Sequence, residues 1–355
     1  MQYRLGMLGF LNLATPEAPG NMGLHDQLMG LQWTQDNARY FNGDQNNVTI
    51  FGESAGSVSV SLHLISPLSR NLFNRAILQS GSSLGEWTFM SMESSWKRLN
   101  NTAFEHGKDK IGCQRSSNVK SIMRCLRSVD AAIINNNDWS YTKGPTGLIQ
   151  FPWLPSIDYN FLTERPEVSM KNGNFKQCPI LAGSNSNEGS WFIPYEFYSQ
   201  GFGQLYKSKT INLTISQEQH KNLLRMAWKY YPAWDTKLNN FGKEAIIHRY
   251  TDWRNPEDTM LNLHNLEQSI GDFHFICPTN KFAEYYSQRG LPTYKFVFSH
   301  RSTVSTWGEW MGVMHGDEIF FLFGEPLKPG SKFTSDETQL ALHMMQIWGN
   351  FSKTG

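Results

Sequence analysis

Apolar positions in the first eighty residues switch between a helical and an extended period, as in a chain that alternates helices and strands. Leu24, Leu28, Leu31 and Trp33 recur at roughly helical spacing, which predicts an amphipathic helix over residues 23–40. Asn46 and Asn47 mark a turn, and Val48-Thr49-Ile50-Phe51 is a short β-prone run suited to a buried strand. After Gly56 a helical pattern covers 58–65 and stops before Pro67, and Arg75–Gln79 reads as a second strand. The stretch 3–13 is short, apolar and broken by glycine; it reads as the remnant of a strand and its exit.

Residues 86–173 are polar and irregular with helical patches, and read as insertions over a core. Extended patterns return at 178–183 and at Thr293–Phe298, and helices are expected around 317–323 and 337–351. No repeat and no shift in composition marks a linker. The expectation is one α/β domain over 1–355, with a mostly parallel sheet flanked by helices.

Gly52-Glu53-Ser54-Ala55-Gly56 fits G-x-S-x-G, a pattern that many proteins carry by chance. Its setting gives it weight, because a β run leads in and a helical run leads out. A serine on a strained strand-to-helix turn needs slim neighbours two residues away on either side. The turn would lift the Ser54 hydroxyl out of the sheet and aim the helix N-terminus at developing negative charge, with the Ala55 N–H as an oxyanion donor.

A serine nucleophile needs an imidazole to take its proton and a carboxylate to orient that imidazole, in the chain order serine, acid, histidine. Among ten histidines, His300 and His315 follow the late strand. His315, between Gly312 and Gly316, suits a tight loop that holds a ring over the serine. For the acid, Glu188 directly follows a strand end, while Asp158, Asp252 and Asp272 compete with it on the residues alone.

Composition adds less. The formal charge of +1 provides no field for nucleic acid or a membrane surface, and no nucleic-acid partner is expected. Twelve Trp, thirteen Tyr and twenty-three Phe fit a packed core first and an aromatic-lined cavity second. Four cysteines without C-x-x-C spacing argue against zinc, and neither metal nor cofactor is expected. Cys113 and Cys125 flank a polar stretch suited to a small disulfide loop. Asn-x-Ser/Thr sequons at Asn47, Asn100, Asn212 and Asn350 lean towards a secreted protein, with Asn100 and Asn212 as glycosylation candidates. No stretch is apolar over the roughly 18 residues of a spanning helix, and no signal peptide is visible.

With these residues in place, the chain resembles the type-B carboxylesterases, and within them the acetylcholinesterases of invertebrate type. The resemblance rests on residues 3–6, 21–27, 42–44, 48–56, 78–81, 187–189, 310–318 and 348–355. It implies an α/β-hydrolase fold and hydrolysis of a small ester, a choline ester in particular. It assigns Ser54, Glu188 and His315 as the triad, and places Glu53 and Glu318 as bordering carboxylates. Trp87, Ile149 and Phe151 fall on the acyl pocket, with isoleucine where vertebrate enzymes carry a second phenylalanine. Trp191 and Phe192 fall beside the choline group, Tyr195 near the mouth of the gorge and Trp307 elsewhere on its wall, and Asp317 replaces a tyrosine of the vertebrate enzymes.

The resemblance also pairs Cys113 with Cys125, gives Cys277 a partner beyond Gly355, and leaves Cys178 as a free thiol. It implies an extracellular location, a homodimer, and membrane anchoring through a C-terminal segment. The glycine-rich stretch that supplies the second oxyanion donor would precede Tyr3, so the expectation is a domain truncated at both ends. One lost oxyanion donor costs about 2.7–4 kcal/mol in the barrier. On that expectation the 355 residues alone form an incomplete sheet with an open apolar edge, of low stability and little activity.

Overall fold

Four parallel strands frame the molecule in a computed structural model that describes residues 1–104, 111–139, 149, 151–203, 213–228 and 238–355. A small hairpin comes first, β1 (Asn12–Thr15) against β2 (Ala18–Pro19). The main sheet runs β3 (Thr49–Glu53), β4 (Arg75–Gln79), β5 (Ile180–Asn185) and β6 (Thr293–Phe298), in that spatial order and all parallel. Phe51 lies opposite Ile77, Ile77 opposite Leu181, and Leu181 opposite Tyr294, so one row crosses the whole sheet. Among the described residues neither β3 nor β6 has a second strand beside it.

Both faces of the sheet are covered, as parallel strands require. Alternation along β4 sends Ala76 and Leu78 into one core and Ile77 into the other. The first core gathers Ile50, Ile180 and Ala182 with apolar side chains of the helices Ala55–Ile65, Thr259–Gly271 and Cys277–Ser287. The second joins Leu181 and Phe298 to the helix Ser335–Thr354. That helix starts at a reciprocal cap between Thr334 and Glu337. It buries Glu337, Ala341, Met344, Trp348 and Phe351, one stripe at helical spacing. Burying each of its three large apolar side chains contributes about 1.5–3 kcal/mol.

The expected α/β-hydrolase class holds, and the elements at Arg75–Gln79 and Thr293–Phe298 fall where the pattern put them. The opening segment differs. Gly6–Phe10 is a short helix, because Met7, Phe10 and Leu11 are buried at helical spacing and the Asp138 carboxylate accepts the Met7 N–H at 3.3 Å. The pattern also gave no sign of the helices Gln217–Ala227, Asn240–Arg249, Thr259–Gly271 and Cys277–Ser287.

Cys113 and Cys125 form a disulfide, while Cys178 is buried and Cys277 exposed, neither bonded. Asn100 opens the π-helical turn Asn100–Phe104; Asn212 lies outside the described residues. No described helix is long and apolar enough to cross a membrane.

Candidate active site

Ser54 stands between β3 and the helix Ala55–Ile65 at φ 57°, ψ −120°, a left-handed conformation that few non-glycine residues adopt. Two backbone bonds hold it there. Its N–H donates to the Gln79 carbonyl at 2.9 Å, and its carbonyl accepts the Val58 N–H at 3.0 Å. A Cβ on Gly52 would lie 2.4 Å from the Gly56 carbonyl carbon, so the turn tolerates no side chain at 52. The expected need for a slim residue at 56 is only half right. A Cβ on Gly56 would meet nothing within 4 Å; what matters there is the Gly56 backbone, which closes over Gly52. Ala55 is the first helical residue, so its N–H has no acceptor within the helix and points from the end that favours negative charge.

The imidazole arrives from the far edge of the sheet on the loop after β6, and Asn185 and Asn187 stitch that loop to the end of β5. Asn187 exchanges two bonds of 3.0 Å with Val313, through its backbone N–H and its side-chain oxygen. Asn185 Nδ2 donates to the Met314 carbonyl at 2.7 Å. Gly312 has φ 58°, and a Cβ there would sit 2.2 Å from Asn187 Oδ1. Close approach to Asn187 is therefore why glycine occupies 312.

These contacts bring three predicted residues into line. His315 Nδ1 lies 2.6 Å from Glu188 Oε2, and Nε2 lies 2.7 Å from Ser54 Oγ. A carboxylate only accepts, so Nδ1 carries the proton and Nε2 is left to receive the serine hydroxyl. The Asn185 N–H donates to the other Glu188 oxygen at 2.6 Å. Glu188 is fully buried. The competing residues go elsewhere: His300 bonds Glu337 at 3.1 Å, Asp158 and Asp252 accept nearby backbone N–H groups, and Asp272 accepts the Tyr250 hydroxyl.

The bordering carboxylates Glu53 and Glu318 take separate partners. Glu318 accepts from Gln79 Nε2 at 3.0 Å and from Asn185 Nδ2 at 2.6 Å, whereas Glu53 Oε1 lies 3.2 Å from His315 Nε2. Burial pushes the Glu53 carboxyl up to about 7, with His315 pulling it down and Glu318 and Glu188 adding to the rise. Burial alone would lower the His315 pKa. Glu188 first, then Glu53 and Glu318, outweigh it and hold the imidazole above its ordinary value. The site thus favours positive charge on His315, as a base receiving a proton from a nucleophile requires.

Aromatic side chains enclose this line on two sides. Trp87 donates its indole N–H to the His274 carbonyl at 2.8 Å, with ring centres 5.8 Å from Phe151 and 5.6 Å from Phe275. Phe192 stacks on Phe275 at 5.1 Å, and Phe275 packs 4.4 Å from the His315 ring. Ile149 is buried at φ 51°, its N–H held by Glu196 Oε1 at 2.8 Å. On the other side Trp191 packs against Tyr195 at 5.6 Å and Trp307 at 5.3 Å. Trp191, Trp307, Met314, His315, Asp317 and Phe333 line a cavity of about 590 Å³; Tyr195 is half exposed.

Sequence reasoning missed Phe275, Asn185 and Gln79. Phe275 sits in a π-helical turn, Asp272–Ile276, where no period-based pattern would put an inward ring. Asn185 lies just before Glu188 in sequence, but its bonds to Met314 and Glu318 depend on segments far apart in the chain. Among the described residues no group of three or more His, Cys, Asp or Glu side chains is placed to hold a metal ion.

The comparisons with known proteins point to one family. The chain is 37% identical over 368 residues to an acetylcholinesterase of Leptinotarsa decemlineata, a match that covers all of this chain and 54% of the relative. It is 38% identical over 356 residues to an acetylcholinesterase of Bungarus fasciatus, covering all of this chain and 55% of that protein. The chain spans about half the length of these curated relatives. Identity of this order to both does not set the invertebrate type apart from the vertebrate one. Residues 1–355 all match the profile described as Carboxylesterase family, and with the serine elbow and parallel sheet described above, this chain belongs to the carboxylesterase family.

Proposed function

We propose that this chain carries the catalytic machinery of a serine esterase that cleaves carboxylic esters through an acyl-enzyme. Ser54 Oγ attacks the ester carbonyl while His315 Nε2 takes its proton, and Glu188 holds the imidazole in the tautomer that can do so. The Ala55 N–H donates to the oxyanion. His315 then returns the proton to the departing alcohol, and water repeats the sequence on the acyl-serine. The unbroken line from Ser54 through His315 to Glu188, at 2.7 and 2.6 Å, carries this reading.

Choline esters, acetylcholine above all, are the substrates we favour. Trp191, Trp307 and Phe192 offer ring faces near His315, where a trimethylammonium group gains about 0.5–2 kcal/mol per contact. Glu53, Asp317 and Glu318 add negative charge beside them, and both relatives named above are acetylcholinesterases. Ile149 favours a second reading, a carboxylesterase of broad acyl range, because a residue smaller than phenylalanine leaves room for longer acyl groups. The disulfide supports an extracellular location. A homodimer held at the outer membrane face belongs to the same reading.

Diisopropyl fluorophosphate labelling of the intact protein tests the chemistry. The expected result is one covalent adduct, on Ser54, with thiocholine and naphthyl ester hydrolysis falling roughly 10⁴–10⁶-fold in Ser54→Ala. No adduct at Ser54 would instead favour a non-catalytic adhesion module of the neuroligin kind.

A further inference from the structure

A second cavity, of about 430 Å³, is lined in part by Leu84, Glu86, Phe89, Phe273, Lys281 and Tyr285. Glu86 Oε2 is buried there and has no hydrogen-bond partner among the described residues. We propose that this cavity binds a small primary ammonium with an apolar body, its N–H groups on Glu86 and its body against Phe89 and Phe273.

The chemistry of the walls selects that class. A buried acceptor that receives no donor from the described residues is open to one from a ligand. The basic side chain on the lining does not fill that role, because Lys281 Nζ is bonded to Glu284 at 3.0 Å. Glu167 also lies on the lining, its charge shared with Lys171 at 2.8 Å, so two carboxylates discourage an anion. Lys281 Nζ already lies 5.1 Å over the Tyr285 ring, which leaves the Phe89 and Phe273 rings beside the carboxylates; they suit a cation with an apolar body, and the volume falls within the roughly 300–1,000 Å³ of small-molecule sites. A quaternary ammonium has no N–H to give Oε2, so a primary one fits better.

Charge adds a second discriminator. Burial pushes the Glu86 carboxyl up to about 7, with Arg165 opposing the rise and Glu167 adding to it. An ammonium binds the ionised form. Its affinity is therefore full above about pH 7 and lost below it, whereas a neutral acceptor would bind the protonated acid and show the opposite trend.

The cavity is also joined to the site. Glu86 precedes Trp87, and Phe273 belongs to the same turn as His274, which accepts the Trp87 N–H, and Phe275, which touches His315. The proposal itself does not depend on the esterase reading.

Isothermal titration calorimetry of 2-phenylethylammonium into the intact protein tests it. Affinity at pH 8 should fall roughly tenfold or more in Glu86→Gln, and roughly tenfold in the unaltered protein on going to pH 6. Leu84→Trp, which fills the cavity and keeps the carboxylate, should abolish this binding, while Trp191→Ala at the other cavity should leave it in place. Binding that survives both Glu86→Gln and Leu84→Trp, or disappears with Trp191→Ala, puts the amine at the serine and overturns the proposal. So does no binding at millimolar amine, or affinity that rises on acidification. Thermal melts check that the variants fold, and the pH dependence of the unaltered protein decides the matter if they do not.

Discussion

Replacing Glu53 by glutamine should move the acidic limb of the pH–rate profile towards lower pH. Glu53 Oε1 lies 3.2 Å from His315 Nε2, and the imidazole must be neutral to accept the Ser54 proton. Unit charges at that distance interact by about 1.3 kcal/mol at the dielectric of water and about 5 kcal/mol at an effective dielectric of about 20. The lower figure corresponds to about one pKa unit. Burial raises the Glu53 carboxyl towards neutrality, which weakens its hold on His315, so we take the lower figure for the expected shift.

The sign follows directly. Glu53 stabilises the imidazolium, so its removal lowers the His315 pKa and the neutral base persists to lower pH. We expect kcat/KM for an uncharged ester such as 1-naphthyl acetate to keep its shape while its acidic midpoint drops by about half a unit to one unit. An uncharged substrate keeps the lost charge from acting through binding. A midpoint that stays put or moves upward would refute the electrostatic account of this pair.

Two further outcomes follow from the packing. Gly52→Ala should destabilise the fold by about 1–3 kcal/mol, as an added methyl does in a filled space, because its Cβ would meet the Gly56 carbonyl carbon at 2.4 Å; a thermal melt measures this, and Gly56→Ala, with open space, should cost less. Ile149→Phe should narrow the acyl pocket and lower the butyryl-to-acetyl ratio of kcat/KM by roughly 10–200-fold; an unchanged ratio would separate Ile149 from acyl selection.

Much of this was legible in the residues because it is local. The strand into Ser54 and the helix out of it are adjacent in sequence, so period and glycine spacing together located the bend. His315 between Gly312 and Gly316 was readable for a related reason, a loop in which glycine must stand. The bonds that assemble the site were not readable. Asn185 touches Met314 and Glu318, and Gln79 reaches both Glu318 and Trp348, pairings set by strand order rather than by sequence distance. Phe275 was hidden for another reason: a π-helical turn shifts the phase of its helix, and an apolar pattern read at 3.6 residues per turn loses it there. The opening helix failed through brevity, since five residues fit two periods equally well.

The parallel register has an evolutionary corollary. Ser54 leaves the end of one strand and Glu188 the end of another two places away, so the width of the sheet, about 4.7–4.9 Å per strand, governs their separation. The number of residues spliced between them does not enter that distance. Lineages are therefore free to lengthen or rewrite the excursion between β4 and β5, which carries Trp87, Ile149 and Phe151, without dragging hydroxyl and carboxylate apart. Selectivity can drift on such a scaffold while the chemistry stays put.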